Sequence, residues 1–123
     1  MKTIEINANI GVCPGYGHDN QGGAPELFTK ALQEICKAVF DETGTYCSFV
    51  VTSAKTIYHT EWGCPVGGEK TFNVSTLCNP IYMPDLEKFR MTAHIILKRL
   101  KVELKQSTIS VVEKEVDFEY WEV

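Results

Sequence analysis

Between Thr3 and Val12 apolar and polar residues alternate. Ile4, Ile6, Ala8, Ile10 and Val12 fall on one side, and Thr3, Glu5, Asn7, Asn9 and Gly11 on the other. A period of two predicts a strand with one buried face. Residues 13 to 23, Cys-Pro-Gly-Tyr-Gly-His-Asp-Asn-Gln-Gly-Gly, sustain no regular period and read as a long loop. Pro25 and Glu26 suit a first helical turn, and Phe28, Leu32, Ile35 and Val39 recur at helical spacing until Gly44, which predicts a helix over about 25 to 42.

A second strand is expected from Tyr46 to Ser53, with β-rich character continuing through Ile57 and Tyr58. A third follows the Trp62 to Gly68 turn, where Phe72, Val74, Thr76 and Cys78 oppose Thr71, Asn73, Ser75 and Leu77. Pro84 and Asp85 open a second helix, in which Leu86, Phe89, Ala93, Ile96, Leu97, Leu100 and Leu104 make one stripe at a 3.6-residue period. The last segment alternates again. Val112, Val116, Phe118 and Tyr120 are expected inward, and Glu113, Glu115, Asp117, Glu119 and Trp121 outward.

The order β-α-β-β-α-β predicts an α+β, ferredoxin-like two-layer sandwich, one domain across residues 1–123. Right-handed crossovers give a four-stranded antiparallel sheet in the order 4-1-3-2, with both helices on one face. On the second helix Met91, Ile95 and Val102 fall nearly opposite the core stripe. That line predicts a homo-oligomer formed through the outer face of this helix.

Charge then narrows the function. Twelve Lys and Arg against sixteen Asp and Glu leave a net charge of −4, which disfavours a nucleic-acid or anionic-membrane partner. The expected open sheet face argues the same way. Its central strands carry Thr3, Glu5, Asn7, Asn9, Thr71, Asn73 and Ser75, and neither a ring nor a cation on which bases would stack. No run of about 18 apolar residues is present to span a bilayer. Five cysteines at irregular spacing, with no apolar leader before them, suggest a reduced, cytoplasmic protein in which Cys36, Cys47 and Cys78 act as small buried hydrophobes.

Candidate chemistry collects where the first and second strands end, because both point the same way and so finish at the same edge of the sheet. The loop after strand one carries Cys13, Tyr16, His18 and Asp19; the turn after strand two carries His59, Glu61, Trp62 and Cys64, with Glu69 beyond it. One reading makes this edge a binding site for a small polar or anionic ligand, lined by Tyr16, His18, Trp62 and Cys64. A second makes it the active site of a small-molecule isomerase or lyase, with His59 and Glu61 as acid and base. A third is an interaction module with no ligand site. Cys13, His18, His59 and Cys64 include zinc-compatible donors, but neither pair has zinc-knuckle spacing, so no metal is assigned. Gly15-x-Gly17 lacks the third glycine of a dinucleotide loop, and Gly23 and Ala24 replace the Lys and Ser/Thr of a P-loop. No motif names a cofactor.

Overall fold

The computed structural model describes residues 1–12 and 25–122. Cys13, Tyr16, His18 and Asp19, singled out above, lie outside the described residues. The elements are β1 (Lys2–Gly11), α1 (Pro25–Thr43), β2 (Val50–Thr56), a single 3-10 turn (Thr60–Trp62), β3 (Glu69–Leu77), α2 (Leu86–Glu103) and β4 (Ser110–Asp117). The sheet runs β2-β3-β1-β4 with every pairing antiparallel, the ferredoxin-like order expected from the alternation of elements.

Alternation on β1 dictates the layering. Ile6, Ala8 and Ile10 are buried, and their register partners Thr76, Val74 and Phe72 on β3 face the same way. Phe28, Leu32 and Val39 from α1 and Phe89, Ala93, Ile96, Leu97 and Leu100 from α2 close over them. Phe28 and Phe72 stack with ring centroids 4.3 Å apart. Cys36, Cys47 and Cys78 are buried in this layer. Burial pushes the Cys36 thiol up to about 11; it pushes Cys47 up to about 12, helped by the neighbouring Cys36 and Cys78.

Three expectations change. β2 begins at Val50 rather than Tyr46, because the chain before it turns inward and buries Thr45 and Cys47, the latter with Sγ 4.0 Å from the Phe89 carbonyl. β4 presents the opposite faces to those its alternation suggested. Glu113 and Glu115 pair with Ile6 and Ile4 on the helix side, whereas Val112 and Val116 pair with Asn7 and Thr3 on the open side. The carboxylates are tolerated there because α2 supplies partners: Arg90 Nε donates to Glu113 at 2.7 Å, and His94 contacts the same carboxylate. Hydrogen bonds from Arg90 and His94 hold the Glu113 carboxyl below the usual range. On α2 itself Met91 and Val102 are exposed, but Ile95 is half-buried and packs against the core, so the three do not form one exposed line.

Among the described residues no helix is long and apolar enough to cross a membrane.

Candidate active site

β1 and β2 both run antiparallel to β3, so their C-terminal ends meet the start of β3 and of β4 at one edge of the sheet. A cleft of about 140 Å³ opens there. Its floor is the open-face row Asn9, Gly11, Thr56 and Thr71, and its walls are Tyr58, Glu69 and the α2–β4 connection from Gln106 to Ser110. This is the edge at which the topology gathered the candidate residues. The connection after α2 is a wall that the sequence reading did not include.

The floor is a chain of polar bonds. Asn9 Nδ2 donates to Thr56 Oγ1 at 3.0 Å, and the Thr56 and Thr71 hydroxyls lie 3.0 Å apart. Asn9 Oδ1 is buried and has no hydrogen-bond partner among the described residues. An acceptor in that state represents binding capacity left unused by the described residues.

The wall is anchored by Tyr58, whose Oη donates to Glu69 Oε1 at 2.8 Å. Glu69 is only 7% exposed, and among the described residues it is the one acidic or basic side chain lining the cleft. Local sequence explains how so polar a residue reaches this depth. Gly67 and Gly68 take φ of +86° and +96°, a region costly for other residues, and Gly68 N–H bonds back to the Pro65 carbonyl at 3.0 Å. A side chain on Gly68 would meet the Thr56 carbonyl at 3.2 Å. The two glycines therefore let the chain double back against the end of β2, which sets Glu69 opposite Thr56 in the β2–β3 register.

Gln106 arrives by a different device. α2 ends with Lys105 N–H on the Val102 carbonyl and Gln106 N–H on the Lys101 carbonyl, each at 3.0 Å, the two bonds of a Schellman cap. Glycine usually occupies the left-handed position of this cap. Here Lys105 does, at φ +55°. Gln106 Nε2 then donates to the Leu104 carbonyl at 3.2 Å, which turns its Oε1 toward Gly11.

The residues proposed from sequence occupy the excursion between Tyr58 and Glu69. His59 caps the 3-10 turn, its Nδ1 accepting from the Glu61 N–H at 3.0 Å, and its ring lies 5.8 Å from that of Trp62. Trp62 is 68% exposed. The Cys64 sulfur accepts from the Tyr58 N–H at 3.5 Å and so ties the turn to the end of β2. The structure thus brings His59, Glu61 and Trp62 together on one turn, with Glu61 engaged through its backbone. Tyr58, Asn9 and Gln106 were missed. Tyr58 read as strand, Gln106 lies beyond the last residue of the helical stripe, and nothing in their neighbours marks them as convergent. No group of three or more His, Cys, Asp or Glu able to hold a metal ion occurs among the described residues.

Comparison with known proteins gives a family and a fold. The profile of the family described as SAM lyase matches residues 1–122. No curated protein matches the chain at a significant level. Among solved structures, a phage SAM lyase in complex with S-methyl-5′-thioadenosine is 14% identical over 98% of this chain and 93% of that one, with a TM-score of 0.55. A phage SAM lyase in the apo state is 15% identical over 98% of this chain and 94% of that one, with a TM-score of 0.57. At these identities the likeness is one of fold.

Proposed function

The chain belongs to the SAM lyase family, and on that premise we propose that it cleaves S-adenosylmethionine between the sulfonium sulfur and the γ-carbon of the amino-acid arm. The observation that carries the proposal is the buried Glu69 carboxylate, held by Tyr58 in a cleft with no other acidic or basic wall among the described residues. Such a cleft favours a cationic guest over the anionic one considered from sequence. S-adenosylmethionine carries a sulfonium and an ammonium against a single carboxylate. S-methyl-5′-thioadenosine, the ligand of the similar phage enzyme, is what remains when the amino-acid arm departs.

A lyase adds no water, so the departing arm must satisfy its own γ-carbon. The substrate carboxylate can do this. One oxygen attacks the γ-carbon, the C–S electron pair returns to sulfur, and the products are neutral S-methyl-5′-thioadenosine and a protonated homoserine lactone. Atoms and charge balance with no proton transferred. The protein's task is then to fold the arm so that the carboxylate lies in line with the C–S bond, an intramolecular arrangement that replaces a chance encounter. Glu69 anchors the ammonium, Tyr58 fixes Glu69, and the Asn9 carboxamide oxygen accepts from the polar end of the arm.

About 140 Å³ is less than the roughly 300 Å³ or more of a complete small-molecule site. The cleft accordingly seats the reacting arm, with the adenosine lying beyond it. His59, Glu61 and Trp62 stand on the turn between Tyr58 and Glu69 and do not line this cleft, and acid–base work by His59 and Glu61 is not required by a ring closure. A cytoplasmic setting belongs to the same proposal and is supported by the free thiols of Cys36, Cys47, Cys64 and Cys78.

The test is incubation with S-adenosylmethionine and mass analysis of early products. S-methyl-5′-thioadenosine together with the lactone is expected. Homoserine, heavier by one water and formed without passing through lactone, would make the protein a hydrolase, and no release of the thioether would remove the proposal.

A further inference from the structure

Gly11 ends β1, paired with Thr71, and its backbone is not in the left-handed region that favours glycine. Nothing in the chain geometry there excludes a side chain, and glycine in a strand gives up both packing and chain rigidity. What remains as a reason is the close approach of other atoms. A Cβ on Gly11 would stand 2.6 Å from Glu69 Oε2 and 2.7 Å from Gln106 Oε1. Both distances are well inside van der Waals contact, and both atoms are held from elsewhere. Glu69 is fixed through its other oxygen by Tyr58, and Gln106 through its amide nitrogen by the Leu104 carbonyl, beyond a cap that puts Lys105 in a left-handed conformation.

We infer that Gly11 is a positioning residue: its missing side chain is the space in which the Glu69 carboxylate and the Gln106 carboxamide oxygen converge, forming a seat for the ammonium of the substrate arm. The inference rests on the reading of the cleft as the lyase site. Two acceptor oxygens brought together over a bare Cα suit a guest that only donates hydrogen bonds, and an ammonium is such a guest. The arrangement also separates function from stability. The atoms a methyl group would displace are the far ends of two side chains, which can rotate away without disturbing the backbone, but neither can then keep its place in the seat.

The experiment is Gly11→Ala in the full chain, read three ways. The thermal midpoint should stay level or rise, since alanine rigidifies the unfolded chain at a compatible backbone position. With S-adenosylmethionine, kcat/KM should fall at least tenfold, with a raised KM. The carboxyl carbon-13 resonance of Glu69, identified by its loss in Glu69→Gln, should move. Wild-type kinetics would overturn the inference, as would an unmoved resonance, and a collapse of the midpoint would make Gly11 structural. If the wild-type protein does not cleave S-adenosylmethionine, the lyase reading fails on its own, and the resonance still decides whether Gly11 seats Glu69.

Discussion

The two faces of the sheet bury their residues on opposite terms. Under the helices, Ile6, Ile10, Phe72 and Val74 are covered by apolar side chains and satisfied by packing alone. On the open face, at the end where β1 and β2 finish, Thr71 and Glu69 are also buried, but as polar groups among hydroxyls, a phenol and carboxamides. The first region also holds an orphan among the described residues, the Thr76 hydroxyl opposite Ile6, but it is sealed beneath the helices. The second retains an orphan acceptor at Asn9 and a carboxylate close to a second acceptor oxygen. Stability should therefore be concentrated on one face and chemistry on the other, and single substitutions can separate them.

The largest effect is expected at Phe72. Phe72→Ala should cost about 3–5 kcal/mol, measured by urea unfolding, because the cavity lies between two layers that cannot collapse. A loss below about 1 kcal/mol would mean that the covered face is not the stabilising one. Next, Glu69→Gln should lower kcat/KM on S-adenosylmethionine by about 10–100-fold, the equivalent of one hydrogen bond to a charged group. Tyr58→Phe should lower it by about tenfold. Both variants should keep a thermal midpoint near that of the wild type, and equal destabilisation by Glu69→Gln and Phe72→Ala would dissolve the contrast. A smaller effect comes from Lys105→Gly, which relieves a left-handed non-glycine residue and should add about 1 kcal/mol to stability in the same urea titration. His59→Ala with Glu61→Ala, on the exposed turn, should stay within about 1 kcal/mol of wild-type stability, since one cap is lost. Its kcat/KM should fall less than that of Glu69→Gln.

β4 supplies a pH test away from the cleft. Arg90 and then His94 lower the folded-state pKa of Glu113, so its stabilisation is present above the unfolded carboxylate pKa of about 4.3 and is lost as pH falls through the lower folded value. Glu113→Gln should flatten the decline of the thermal midpoint in that acid range and leave its dependence above pH 6 to other groups. An unchanged acid limb would mean that the ion pair contributes nothing in solution. Self-association through α2 is a proposal now carried by Met91 and Val102, which are exposed. Met91→Glu should lower the mass seen by light scattering, and an unchanged mass removes that interface. Ile95→Glu, at a position packed on the core, should lower stability instead.

The legibility of the chain follows the range of the interactions. Ile4, Ile6, Ala8 and Ile10 declare β1 because each contributes to a pattern two residues long, and the stripe from Leu86 to Leu100 declares α2 in the same way. β4 misled because it is an edge strand. Its apolar residues were assumed to seek the core, whereas Arg90 and His94 made the helix side suitable for Glu113. The cleft was legible as a place, since two parallel strands must end together, and Glu69 was gathered there, but Tyr58, Asn9 and Gln106 were not recognised as its partners.

Alternation, helical spacing and the order of the elements were thus enough to determine the ferredoxin-like sheet and the edge where loops gather, because each is a local or topological property of the chain. Which side chains meet at that edge was decided by tertiary structure alone. Tyr58 reaches Glu69 only after a turn returned by Gly67 and Gly68. Glu69 and Gln106 come close to one point because β3 and the end of α2 deliver both over Gly11, the one position in β1 that lacks a Cβ. Such a convergence depends on register and on a few ångströms of free space. Neither leaves a periodic trace in the sequence, because both are properties of several elements placed together.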